Sequence, residues 1–272
     1  MKRSGKASRA RPSRVASGLP AAQPEWAYFF DIDGTLVDFA VSPAGVRLDP
    51  ELRRLLGRLY RSTGGAVALI SGRSIADIDR LFHGVRLPVA GQHGIERRDA
   101  SGQVTRHAFP SKKLARVCQQ LADAATRHRG LLLEDKGLSL ALHYRRVPRL
   151  GGFAHRLVRS LQAQIGTEYC VQPGKRVVEM KPAGRHKGIA VLEFMQEEPF
   201  RGRMPVFIGD DMTDEYGFAT VNRLDGYSVK VGSGRTVARW RLRNAQAVRA
   251  WLERGMMAPT SRGRRTTWKG AS

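Results

Sequence analysis

The stretch Tyr28-Phe29-Phe30-Asp31-Ile32-Asp33-Gly34-Thr35-Leu36 constrains this chain more than any other. An apolar run that ends in two carboxylates and a glycine reads as a buried strand. Its acids then emerge at the C-terminal edge, where open α/β sheets bind ligands. A carboxylate there can act as nucleophile, metal ligand or proton carrier. Taken alone, Asp and Gly are also ordinary turn residues. The downstream sequence has to decide between these readings.

Globular patterning begins near Trp26. Asp49 and Pro50 supply a helix cap and first helical residue, and Leu52, Leu55, Leu56 and Leu59 follow at helical spacing until Gly64-Gly65. A short apolar strand, Ala66 to Ile70, leads to Ser71-Gly72-Arg73. Ser74 then caps a second helix carrying Ile75, Ile78, Leu81 and Phe82. Strand and helix in alternation predict a parallel sheet covered by helices.

The rhythm changes after about residue 105. A helical stretch, Ser111 to His128, precedes Leu131 to Glu134. Leu138, Leu140, Leu142 and Tyr144 then alternate with Ser139, Ala141 and His143, as in a strand with one buried face. A second helical stretch, Arg149 to Ile165, and two strand-like pieces at Glu168–Val171 and Arg176–Met180 complete an α-β-β-α-β-β order. The α/β rhythm returns at Lys187, with a helix to Met195, strands at Pro205–Ile208 and Tyr227–Val231, and a helix around Ala245–Arg254. The pattern predicts a core of residues 25–105 and 182–258, an inserted α+β module of residues 106–181, a disordered basic tail at 1–24 and a second basic tail at 259–272.

Charge needs an explanation, because the formal net charge is +23. The first 24 residues hold six cations and no acid, and residues 259–272 hold four more. Such an excess suggests nucleic acid. Yet the tails lack interleaved aromatics apart from Trp268, and no zinc-finger spacing or RNA-binding aromatic signature is present. Attraction of anionic substrates accounts for the charge with fewer assumptions. Cys118 and Cys170 are too few to staple a chain of 272 residues, which predicts a reducing, cytoplasmic setting. No apolar run approaches the roughly 20 residues that cross a bilayer. The N-terminal tail lacks the apolar segment of a secretory signal.

Four short segments line up in order: Asp31-Ile32-Asp33-Gly34-Thr35, Ile70-Ser71-Gly72-Arg73, His186-Lys187-Gly188 and Gly209-Asp210-Asp211-Met212-Thr213-Asp214-Glu215. Three follow strand-like runs and Lys187 opens a helix, so all four gather at one edge of a parallel sheet. This set resembles the haloacid dehalogenase superfamily of phosphohydrolases. Ala90-Gly91-Gln92-His93-Gly94-Ile95-Glu96, Glu134-Asp135-Lys136-Gly137-Leu138-Ser139-Leu140-Ala141-Leu142-His143-Tyr144-Arg145 and Val178-Glu179-Met180-Lys181-Pro182 narrow the resemblance to the trehalose-6-phosphate phosphatase family. The fold that this implies is an α/β, Rossmann-like core with an inserted α+β cap.

The resemblance implies a chemistry. Asp31 attacks phosphorus and forms an aspartyl-phosphate, which splits one hard displacement into two easier ones. Mg²⁺ is the implied cofactor, held by the Asp31 and Asp210 carboxylates and the Asp33 backbone carbonyl, with Asp211 and Asp214 in support. Asp214, beside Thr213, could instead favour a helix N-terminus. Asp33 protonates the departing sugar oxygen, and negatively charged neighbours are expected to raise its pKa. Ser71 and Lys187 hold the transferring oxygens. Arg73 either contacts phosphate or pairs with a core acid.

The implied substrate is a sugar phosphate, trehalose 6-phosphate, with sucrose phosphate as the alternative within the same chemistry. Glu134 and Lys136, two apart on an extended segment, face one side. With Glu179 they grip the distal sugar, or else form a cap ion pair. Gln92 and His93 are candidate substrate contacts on the way to the cap, His93 alternatively a hinge residue. Docking of a trehalose-6-phosphate synthase is left open, as is the oligomeric state.

Overall fold

The computed structural model describes residues 18–38, 48–83, 85–106 and 111–257. In chain order the elements are β1 (Trp26–Phe30), α1 (Pro50–Ser62), β2 (Val67–Ile70), α2 (Ile75–Phe82), β3 (Val89–Gly91), β4 (Glu96–Arg98), β5 (Val104–Arg106), α3 (Ser111–Arg127), β6 (Leu132–Asp135) and β7 (Leu140–His143). After them come α4 (Gly151–Ile165), β8 (Tyr169–Gly174), β9 (Val177–Pro182), α5 (Lys187–Met195), β10 (Met204–Gly209), α6 (Glu215–Arg223), β11 (Tyr227–Val231), β12 (Trp240–Leu242) and α7 (Ala245–Met257).

All five residues of β1 are buried, as a strand covered on both faces requires. Tyr28 and Phe30 point into one apolar layer with Leu52, Leu55, Ile78 and Trp251, from α1, α2 and α7. Ala27 and Phe29 point into the other, with Val191, Phe194 and Phe218 from α5 and α6. The large sheet runs β12-β11-β10-β1-β2-β3-β4-β5. Its first six strands in this order are mutually parallel, and β4 and β5 extend it antiparallel. From β1 the chain winds to β2 on one side and later to β10 on the other, so β1 and β10 flank the switch point where such sheets open a crevice.

Helix starts follow from local chemistry. Asp49 accepts from the Leu52 N–H at 2.7 Å, with Pro50 at the first helical position. Ser74 accepts from the Asp77 N–H at 3.1 Å. Gly34, at φ 87°, makes the tight turn that follows Asp33.

The second sheet, β6-β7-β9-β8, is wholly antiparallel. One face packs Leu140, Leu142, Val178 and Met180 under α3 and α4 through Leu114, Val117, Leu121 and Val158. The opposite face carries a cross-strand row, Glu134–Ala141–Glu179–Gln172. The chain returns from this sheet through residues 183–186. There Arg185 donates to the Gly94 carbonyl at 3.0 and 2.7 Å and pairs with Glu193 at 2.7 Å.

Some elements escaped the sequence pattern. β3, β4, β5 and β12 have three residues each, too few to show a period, and Glu96-Arg97-Arg98 reads as polar. Residues 18–24, grouped with the N-terminal tail, dock on the core: Ala22 is buried, and the Pro20 carbonyl accepts from the Trp251 indole at 2.8 Å. Residues 1–17 and 259–272, the rest of the basic tails, lie outside the described residues. Cys118 and Cys170 are unpaired. Among the described residues no helix is long and apolar enough to cross a membrane.

Candidate active site

The C-terminal ends of β1, β2 and β10 and the start of α5 bring the four sequence segments together. Asp31 follows β1, Ser71 follows β2, Lys187 is the first residue of α5 and Asp210 follows β10. Asp31, Asp33, Ser71, Arg73 and Lys187 line one cavity with His93, Glu134, Lys136, Glu179 and Asp211. The large sheet forms its floor and the Glu134–Gln172 row of the second sheet forms its roof.

At the floor, the Lys187 ammonium donates to Asp31 Oδ1 and Asp214 Oδ1, each at 2.6 Å. Asp31 Oδ2 accepts from the Thr35 hydroxyl at 3.5 Å. Burial pushes the Asp31 carboxyl well above its usual range; Lys187 opposes the rise, and Asp214 and Asp210 add to it. Burial lowers Lys187 in turn, but the Asp214 and Asp31 carboxylates outweigh it and hold the ammonium above its ordinary value. Burial, then Asp214 and Asp211, push Asp210 up to about 7.

Asp214 is fully buried. Its second oxygen accepts from the backbone N–H of Asp210 and of Asp211, at 3.0 and 2.8 Å. Gly209 makes this possible, since a Cβ there would lie 2.3 Å from the Asp214 carboxyl carbon. Asp214 therefore shapes the loop as well as adding charge. Asp211 caps the following turn through the Met212 N–H at 2.6 Å.

These donors fit a hard divalent cation. Asp31, Asp210 and Asp214 each offer an oxygen, all within 4.8 Å of one another. Asp210 Oδ1 is buried without a hydrogen-bond partner among the described residues, a state that a cation would relieve. The Asp33 side chain is not in this group.

Asp33 departs from expectation. Its charged partner is a cation, not a carboxylate: Arg73 donates to both of its oxygens, through Nε and one terminal nitrogen, at 2.7 Å each. Arg73 thus pairs with an acid while also lining the cavity. Ser71 is buried, and its hydroxyl accepts from the Arg73 N–H at 3.2 Å.

At the roof, Glu134 and His143 pair at 2.7 Å, and the Lys136 ammonium lies 3.1 Å from Glu179 while donating to the Gly72 carbonyl at 2.8 Å. Burial would raise Glu179, but Lys136 and His93 hold it below the usual carboxylate range. His93 Nε2 sits 3.0 Å from Glu179, and burial outweighs that carboxylate, lowering the imidazole to about 4. Gln92 does not line the cavity; its amide is taken up by Lys136 and Ser139. Residues missed from sequence also line it: His143, Arg145, Gln172, Lys175 and Thr213. The alternation of β7 held a signal for His143, whereas Gln172 is placed only by the register of β8 on β9.

Comparison with known proteins fits this geometry. The trehalose-phosphatase family model matches residues 29–246. A trehalose-6-phosphate phosphatase of Escherichia coli (strain K12) is 44% identical over 234 residues, covering 86% of this chain and 88% of the relative. A probable trehalose-phosphate phosphatase of Sinorhizobium fredii is 42% identical, covering 79% and 81%. In solved structures, the C-terminal domain of the Candida albicans trehalose-6-phosphate phosphatase matches with a TM-score of 0.76 at 24% identity, over 84% of this chain and 91% of that one. The haloalkanoate-superfamily phosphatase BT1666 of Bacteroides thetaiotaomicron matches with 0.59 at 16% identity, over 89% and 99%. Both share the fold.

Proposed function

The chain belongs to the trehalose-phosphatase family, and from that membership we infer that it is a phosphoric monoester hydrolase converting trehalose 6-phosphate to trehalose and inorganic phosphate. The observation that carries the assignment of its chemistry is Asp31: a buried carboxylate at the sheet switch point, lining the cavity, with Lys187 against one oxygen.

In this reading the phosphoryl end of the substrate enters beside Asp31, Ser71 and Lys187. An Asp31 oxygen bonds to phosphorus as the bond from phosphorus to the sugar oxygen breaks, and the sugar oxygen leaves with a proton from Asp33. Water then attacks phosphorus and gives its proton to Asp33, which frees phosphate and restores Asp31. Both Asp33 oxygens are held by Arg73, so this pair has to loosen for the carboxyl to reach the sugar oxygen. Lys187 and Ser71 orient the phosphoryl oxygens. Asp31, Asp210 and the Asp33 carbonyl would hold Mg²⁺, which would supply positive charge against a dianionic substrate.

The sugar end faces Glu134, Lys136 and Glu179, whose carboxylates and ammonium suit a hydroxyl-rich disaccharide. The free cysteines suit a reducing compartment, and we place the enzyme in the cytoplasm. Phosphate release from trehalose 6-phosphate, sucrose phosphate, glucose 6-phosphate and mannose 6-phosphate, with and without Mg²⁺, tests the reading. Mg²⁺-dependent release far faster from trehalose 6-phosphate is expected; equal rates across the panel reject the specificity.

A further inference from the structure

Gln92 stands in the passage between the sheets with its carboxamide fully engaged. It is 2% exposed, and both it and His93 adopt left-handed backbone, φ 46° and 59°, which non-glycine residues seldom take. Such a pair persists only where the surroundings over-determine it, and it directs attention to what the two side chains do.

The main chain of Gln92 and His93 is tied to the phosphoryl end of the cavity. The Gln92 N–H donates to the Arg73 carbonyl and the His93 N–H to the Ser71 carbonyl, each at 2.8 Å. The Gln92 side chain reaches the other way. Its Nε2 donates to the Lys136 carbonyl at 2.8 Å, and its Oε1 lies 3.0 Å from the Ser139 hydroxyl. That hydroxyl is also 3.0 Å from Glu179, and the turn closes on itself through Lys136 N–H to Ser139 carbonyl at 3.0 Å. One residue thus fastens the β6–β7 turn of the roof to the 71–73 loop of the floor.

We propose that Gln92 is a positioning residue that sets the register of this turn, and through it places the Lys136 ammonium and the Glu179 carboxylate for the sugar. It touches neither substrate nor reacting atoms. Its carboxamide matches a backbone carbonyl on one side and a hydroxyl on the other, a combination that neither an apolar side chain nor a carboxylate can supply. Lys136, so held, donates to the Gly72 carbonyl between Ser71 and Arg73, so the sugar-facing groups are registered against the phosphoryl-facing ones. The inference rests on the reading of Lys136 and Glu179 as sugar contacts.

The test compares Gln92→Met, of similar volume and without hydrogen-bonding groups, with the wild type, both as full chains with Mg²⁺. KM for trehalose 6-phosphate is expected to rise about tenfold, as for loss of one buried polar contact, with kcat little changed. Hydrolysis of p-nitrophenyl phosphate, which has no sugar to position, should be unchanged. Amide hydrogen exchange across residues 136–139 should accelerate. Ser139→Ala, which removes the partner of the Gln92 carboxamide oxygen, should shift KM the same way by a smaller factor. An unchanged KM, or equal losses on both substrates, overturns the proposal. If the wild type itself ignores trehalose 6-phosphate, the functional reading fails, and unaltered exchange at 136–139 in Gln92→Met would overturn the latch separately.

Discussion

The Arg73 guanidinium grips the Asp33 carboxylate through two hydrogen bonds of 2.7 Å, the bidentate geometry that favours arginine over lysine. Arg73 follows β2 and Asp33 follows β1, so adjacent strands present the pair at the cavity floor. Asp33→Asn removes the proton carrier and leaves the nucleophile. With an alkyl leaving group, which needs that proton, turnover should fall by about 10²–10⁴-fold. With p-nitrophenyl phosphate, whose leaving group departs unaided, rapid-mixing kinetics should show a burst of nitrophenolate as phosphoenzyme accumulates. Equal losses on both substrates and no burst would reject the role.

Asp31 is buried among carboxylates, and with no metal ion bound this crowding opposes folding beyond what Lys187 offsets. Asp31→Asn should abolish turnover and raise Tm above that of the wild type in EDTA. Added Mg²⁺ should raise the wild-type Tm and move that of the variant far less, because ligand binding stabilises only a fold that can bind it. A variant that keeps turnover, or responds fully to Mg²⁺, contradicts the assignment.

Lys187 is the cation between Asp31 and Asp214. Lys187→Met leaves two buried carboxylates unpaired, a change that typically costs about 3–5 kcal/mol. Denaturation in EDTA should register that loss, and saturating Mg²⁺ should recover part of it. No loss in EDTA would mean that the triad contributes little to the fold.

Glu134 lies on the roof, paired with His143 and remote in sequence from the floor. Glu134→Ala should lower kcat/KM for trehalose 6-phosphate at least tenfold, about the value of one charged hydrogen bond, and leave p-nitrophenyl phosphate hydrolysis near wild type. Parallel losses would make it a structural ion pair.

His93 is neutral in the fold, with its pKa lowered to about 4, whereas an unfolded imidazole titrates near 6.5. As pH falls below 6.5 the unfolded chain takes up a proton that the fold refuses, so stability drops over the interval down to about pH 4. The loss specific to His93 is about 2 kcal/mol at pH 5. His93→Gln lacks it, so the stability difference between wild type and variant should shrink from pH 7 to pH 5. A gap that stays constant would show that His93 does not titrate in this way.

The sequence exposed whatever depended on contiguous residues. Asp31 and Asp33 stand on one apolar run, and Lys187 is marked by its place before Gly188 at a helix start. Pairings that depend on topology were hidden. Nothing in the chain tells Arg73 to reach Asp33, forty positions away. Nor does it say that the Gln92 amide is spent on a cap turn rather than on substrate. His143 was half legible: Leu140 and Leu142 had to lie under the helices, which leaves Ala141 and His143 for the cavity. Gln172 stayed hidden because a strand four residues into β8 reveals its neighbour only once β9 is laid beside it.

Arg185 has a mechanical consequence. By clasping the Gly94 carbonyl and Glu193, it anchors the returning chain two residues before Lys187. Gly184, at φ 76°, lies on the far side of that anchor. Gly184 thus gives the chain a position of free backbone rotation on the roof side of the clasp, and the clasp itself fixes the approach to the lysine beneath the nucleophile.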